Sequence, residues 1–197
     1  GSSSCYTVGL LNALHTYQND HISLTDLAEE ACRLEIDILK EPIGKQDQYM
    51  AAFGGFTVLD ISRDGTVGVR TARNSEDTVD ELNRNLLMFY THTSHRASDI
   101  LSGQNRGIEE DEKTITESMH RIKEIGHQIL DAVESSNLSR VGKLFDEHWR
   151  EKKKLSPRMS NDRFDEIYNL ALGNGALGGK ISGAGGGGFF VFYVEEK

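Results

Sequence analysis

Glu35-Ile36-Asp37-Ile38-Leu39-Lys40-Glu41-Pro42-Ile43-Gly44-Lys45-Gln46-Asp47-Gln48 reads as a helix running out into a tight loop, and it carries two carboxylates in unusual places. Upstream, Leu24, Leu27, Ala28, Ala31, Leu34 and Ile38 recur at helical spacing, which predicts one apolar stripe on a helix from about Ser23 to Lys40. Glu35 projects into that stripe between Ala31 and Ile38. A carboxylate buried without a partner is costly, so it calls for a cation, a metal or a proton. The helix alone favours an Arg or Lys partner over a metal ion. Pro42 and Gly44 end the helix, and Asp47 is expected in the loop behind them.

Working outward toward the start of the chain, residues 1–17 read as a helix opening on Gly1-Ser2-Ser3-Ser4. Leu10, Leu11, Ala13, Leu14 and Tyr17 make it apolar over most of its surface, which predicts burial. The mouth of such a helix offers free N–H groups and a positive dipole end, an arrangement suited to anions. The same four residues also fit an expression-tag remnant, and the residues alone do not choose between the two.

Toward the other end, residues 53–62 and 66–71 read as a hairpin turned at Gly65, and residues 74–81 as a polar connection. Leu86 to Thr91 reads as a buried strand, followed by His92-Thr93-Ser94-His95-Arg96 and a helix to about Asn105. Helices are expected over 111–135, 138–153 and 161–172, with Val141, Leu144, Phe145 and His148 facing inward on the second and Gly173 stopping the third. Lys152-Lys153-Lys154 reads as a solvated helix end. His120, His127 and His148 show no ligand spacing. Nine of the 20 glycines lie between Gly173 and Gly188. The run Gly178-Gly179-Lys180-Ile181-Ser182-Gly183-Ala184-Gly185-Gly186-Gly187-Gly188 leads into a strand over Phe189–Glu195 and predicts a close backbone approach. Together the two glycine segments, Glu35 and Asp47 are expected to meet in one phosphate-handling site.

The bulk properties narrow the function. A formal net charge of −9 disfavours wrapping nucleic acid or an anionic membrane surface, and 37% apolar residues suit a soluble globular protein. No apolar run approaches a membrane span. Two cysteines make no disulfide framework, which points to a reduced, cytoplasmic setting. Neither GxxxxGK[ST] nor the HRD/DFG set occurs.

Gly1-Ser2-Ser3-Ser4, Glu35 with Gly44-Lys45-Gln46-Asp47-Gln48, and Lys180-Ile181-Ser182-Gly183-Ala184-Gly185-Gly186-Gly187, in this order, resemble the GHMP small-molecule kinase family. The loop Glu-Pro-Ile-Gly-Lys-Gln-Asp-Gln is similar to the branch acting on heptose 7-phosphate. The resemblance implies an α+β fold: the end of a ribosomal-S5-domain-2-like lobe (residues 1–80) and a ferredoxin-like C-terminal lobe with added helices (81–197). It implies ATP and Mg2+ as cofactors and a sugar phosphate as acceptor at its anomeric hydroxyl. Gly1, Ser2, Ser3, Ser4 and Gly183, Ala184, Gly185, Gly186, Gly187 would handle the nucleotide, and Ser3 with Glu35 the metal. Asp47 would act on the acceptor hydroxyl, with Lys45 beside it. Gln48 and Arg96 are expected at the substrate, and Arg96, Lys45 and Arg158 as partners for its distal phosphate. Other family substrates (fucose, galactose, a mevalonate-type acid) and a non-catalytic binding or helical interaction module are the competing readings. In the family the phosphate loop begins before a residue like Gly1, and the C-terminal lobe runs past a strand like 189–195. The resemblance therefore implies an internal piece with poor turnover by itself.

Overall fold

The computed structural model describes residues 2–93, 101 and 113–195. The chain divides into two compact units, Gly1–Ala72 and Arg73–Lys197. Both mix helices with small antiparallel sheets, as an α+β reading requires.

In the first unit, α1 (Ser2–Tyr17) and α2 (Leu24–Cys32) precede a π-helical segment (Arg33–Ile38), α3 (Gln46–Phe53) and a hairpin of β1 (Thr57–Ile61) and β2 (Val67–Thr71). Ser23 caps α2, its hydroxyl accepting from the Asp26 N–H at 3.1 Å. Val8, Leu11, Leu27 and Ala31 form one core cluster, and Ala28, Cys32 and Tyr49 a second. Contrary to expectation, α1 is not enclosed: Leu10, Leu14 and Tyr17 are exposed, and the stripe Ser4–Val8–Leu11 alone is buried. Helical geometry explains this, because residues at i, i+4 and i+7 share one face and the rest of the turn lies off it.

The second helix does not run straight to Lys40. After Cys32 the hydrogen bonds widen to the i→i−5 pattern, with the Leu39 N–H bonded to the Leu34 carbonyl at 2.9 Å. That widening rotates the register. Ile38, expected in the core stripe, is exposed, while Glu35 is the buried residue of the segment.

In the second unit, α4 (Glu76–Asn85) leads into β3 (Leu86–Tyr90). Helices α5 (Lys113–Glu134), α6 (Leu138–Lys153) and α7 (Asp162–Gly173) follow, then β4 (Ala176–Ile181) and β5 (Phe189–Val194). The sheet order is β3-β5-β4, antiparallel throughout. Residues 74–81 are thus largely helical, not a solvated connection: the Ser75 hydroxyl caps the Thr78 N–H, Glu76 and Asp77 suit the first turn, and Leu82 is buried. The lobe boundary expected at 80–81 falls inside this helix. Strand β3 is an edge strand, and Leu87, Met88, Phe89 and Tyr90 are exposed instead of buried. Helix α7 ends one residue later than expected, with Asn174 as its cap and Gly175 at φ +104°. The helix expected after His92 lies outside the described residues, apart from Leu101.

The core of this unit gathers Trp149, Met159, Phe164, Tyr168, Phe190 and Phe192. Trp149 is fully buried, its ring 5.8 Å from that of Phe190. Gly178 has its own reason in β4. A Cβ there would lie 2.1 Å from the Gly142 carbonyl and 2.7 Å from the Asp146 nitrogen, so glycine lets α6 lie directly on the sheet.

Candidate active site

In the first unit the π-helical segment turns Glu35 inward until its side chain is only 3% exposed. Gln48, also buried, donates its Nε2 to Glu35 Oε2 at 2.5 Å. Among the described residues Glu35 has no Lys or Arg partner. The partner the helix alone favoured is therefore an amide, not a cation. Gln48 Oε1 remains buried with no hydrogen-bond partner. One buried carboxylate and one orphaned amide oxygen side by side form an oxygen-rich, electron-rich spot.

Such a donor set suits a hard divalent cation. Among the described residues no group of three or more His, Cys, Asp or Glu is placed to hold a metal. Magnesium needs no such cage, because it binds through one or two protein oxygens, retaining waters and substrate phosphates as further ligands. Ser4 at the start of α1 is buried, while Ser2 and Ser3 are exposed and the Ser3 carbonyl accepts from the Thr7 hydroxyl at 3.1 Å. Gly1 and Arg96 lie outside the described residues.

Asp47 is not in a loop. It occupies the first turn of α3, two residues after Lys45, and is exposed. A helix N-terminus favours a negative side chain at that position. The sequence hid this helix because Pro42 and Gly44 read as the start of a longer loop.

Lys45 does something other than was expected from its nearness to Asp47 in sequence. Its Nζ lies 2.8 Å from each Glu29 oxygen and 2.9 Å from the Gly65 carbonyl, which engages all three donors. Tyr49 adds a fourth strand to the knot, its hydroxyl donating to Glu29 Oε1 at 2.5 Å. Burial pushes the Glu29 carboxyl up, but the bonds from Lys45 and Tyr49 outweigh it and hold Glu29 below the usual carboxylate range. A cavity of about 510 Å3 opens beside this knot. Asp26, Glu29, Glu30 and Asp37 line it against Arg33 and Lys45, so its charge is wrong for a phosphate.

In the second unit, residues 182–188 form the turn between β4 and β5. Gly183, Gly185, Gly186 and Gly188 have φ of +71°, +104°, +72° and +89°, a conformation that side chains oppose. Gly185 also needs space: a Cβ would sit 1.9 Å from Met159 Sδ. The close approach expected for these glycines thus includes one to Met159. The Gly186 N–H reaches the Met159 carbonyl at 3.3 Å, and the Gly188 N–H reaches the Thr93 carbonyl at 2.8 Å.

Lys152, expected at a solvated helix end, is buried. It is 8% exposed and donates to the Ile181 carbonyl at 3.4 Å and to the Gly183 carbonyl. Its position eight residues after Leu144 and three after Trp149 continues the inward stripe of α6, a signal outweighed by the following lysines. Arg158 is exposed.

Two patterns of one family match the chain: that of the GHMP kinases N terminal domain over residues 1–55, and that of the GHMP kinases C terminal over residues 129–197. The chain belongs to the GHMP kinases. Among curated GHMP kinase relatives, the D-glycero-alpha-D-manno-heptose 7-phosphate kinase of Campylobacter jejuni is 34% identical over 99% of the chain, which spans 57% of that protein. A crystal structure of a D-glycero-D-manno-heptose 1-phosphate kinase from Bacteroides thetaiotaomicron superposes with a TM-score of 0.71 at 26% identity, over 98% of this chain and 51% of that one. A candidate sugar kinase from Campylobacter jejuni gives 0.73 at 30% identity, over 98% and 54%. The chain therefore spans a little over half the length of these GHMP kinase relatives. Among the described residues, no helix is long and apolar enough to cross a membrane.

Proposed function

We propose that the chain is part of an ATP-dependent sugar kinase that transfers a γ-phosphoryl group to the anomeric hydroxyl of a heptose 7-phosphate. One observation carries the reading: Glu35, buried on a π-helical segment, is met by the Gln48 amide N–H, whose own oxygen is left unpartnered, instead of by a cation. A fold that needed Glu35 only for packing would neutralise it with a base or replace it by an apolar residue. Relatives at 34% and 26% identity, both named as heptose phosphate kinases, supply the substrate class.

Phosphoryl transfer asks a protein mainly for positioning and charge neutralisation. Bound Mg2+ would supply positive charge to the nucleotide phosphates. Glu35, with Ser3 by family resemblance, is proposed to hold it, and Gln48 keeps the Glu35 carboxylate oriented. The N-terminal turn of α1, from Ser2 to Ser4, is proposed to offer its N–H groups to phosphate oxygens, with Gly1 ahead of it a nucleotide contact by family resemblance. Asp47 accepts the proton of the acceptor hydroxyl from the first turn of α3. Lys45, committed to Glu29 and Gly65, serves by fixing the start of α3, which carries Asp47. Gly183, Ala184, Gly185, Gly186 and Gly187 are proposed to meet the nucleotide through their backbone, with the Gly186 N–H already engaged by the Met159 carbonyl. Arg96 remains a proposed substrate contact, whereas Gln48, fully buried against Glu35, acts through Glu35 instead of touching the substrate, and cytoplasm is the proposed location.

An ADP-coupled assay over a panel of sugar phosphates, with the chain extended to the length of its relatives, tests the reading. Turnover is expected with heptose 7-phosphate and Mg2+. Turnover with another family acceptor and none with the heptose would overturn the substrate assignment.

A further inference from the structure

We infer that Lys152 is the positioning residue of the glycine turn, holding its entry limb through the carbonyls of Ile181 and Gly183. The inference rests on the proposed contact of that turn with the nucleotide only for its kinetic consequence; the positioning itself rests on geometry.

A turn with five glycines at positive φ has many shapes of nearly equal energy, and something outside it must choose one. The exit is fixed by backbone and hydroxyl groups: the Thr91 N–H and hydroxyl both donate to the Gly188 carbonyl, at 2.9 and 3.0 Å. The middle is fixed at Met159, through the Gly186 N–H. At the entry, beyond the Ser182–Phe189 backbone bond, the partner is Lys152. It is the charged group among the three anchors. Packing does not account for it. A methionine of similar length would fill the same space without the cost of burying an amine, and among the described residues Lys152 has no carboxylate to offset that cost. What lysine alone supplies is a donor that reaches two successive limbs of the strand-to-turn transition. Burial, and then the neighbouring charge of Lys180, push its ammonium down to about 7, consistent with a site that keeps the amine for its hydrogen bonds. Orienting the entry carbonyls also orients the peptide N–H groups that follow, the groups a phosphate would meet.

The test is Lys152→Met, a volume-conserving change, with Lys152→Arg as the variant that keeps a charged donor. In the chain itself, amide exchange of residues 183–188 is expected to quicken by about tenfold in Lys152→Met while β5 amides stay protected, and by about threefold or less in Lys152→Arg. In the protein extended to family length, Lys152→Met should raise the KM for ATP by about tenfold and leave that for the sugar phosphate within about twofold. Unchanged exchange in Lys152→Met, or equal loosening in both variants, overturns the inference. Quickened exchange with an unchanged ATP KM upholds the positioning and counts against the nucleotide reading of the turn.

Discussion

Gln48 Nε2 lies 2.5 Å from Glu35 Oε2, joining the first turn of α3 to a π-helical segment through two buried polar side chains. Removing the amide leaves a buried carboxylate without its donor. Gln48→Leu should therefore cost about 1–3 kcal/mol of stability, read by urea unfolding. A cost near zero would mean that Glu35 finds another donor.

The acceptor side of the chemistry rests on Asp47. Asp47→Asn keeps the shape and the exposed position at the head of α3 but removes the proton acceptor. Most of kcat should be lost, by about 100-fold or more, with ATP affinity kept. Turnover near that of the parent would remove Asp47 from the base role.

The sheet contact of α6 gives a prediction independent of function. Gly178→Ala drives a Cβ into the Gly142 carbonyl and the Asp146 nitrogen, backbone atoms that cannot step aside. We expect a loss of about 1–3 kcal/mol or more, seen as a lower urea midpoint. By contrast, Gly173→Ala meets nothing within 4 Å and has no positive φ, so it should be nearly silent.

His148 predicts a pH dependence. Burial first, then the charges of Lys180 and Lys152, push its imidazole down to about 3 from an ordinary value of 6.5, and its Nδ1 is buried without a partner. The unfolded chain thus binds a proton that the folded chain refuses between pH 6.5 and about 3. Stability is unaffected by this group above pH 6.5 and falls as the pH drops through that window. His148→Gln should narrow the difference in unfolding free energy between pH 7 and pH 4, measured in urea; an unchanged difference would show that His148 does not titrate in this way.

Much of the fold was legible because periodicity carries it. The Val141–Leu144 stripe marked α6, and alternation about Gly65 marked the hairpin. What stayed hidden depended on local chemistry that periodicity does not see. The π-helical widening after Cys32 moved Ile38 out of the stripe and left Glu35 in it, so the odd carboxylate was recognised but its amide partner was not. The two lysines that follow Lys152 suggest a solvated helix end, although its spacing from Trp149 and Leu144 puts it inward. Ser75 capped a helix in a stretch whose charge suggested a loop. The glycine run predicts a close backbone approach without naming its partner: at Gly178 the approach is to α6, and at Gly185 it is to Met159.

The most direct test of Glu35 as a magnesium-holding group is a Mg2+ titration of ATP turnover in Glu35→Gln, in the protein extended to family length. The account predicts that half-saturation shifts to at least about tenfold more Mg2+, since an amide replaces a buried carboxylate. A titration curve overlying that of the parent would contradict it and return Glu35 to a structural partner of Gln48.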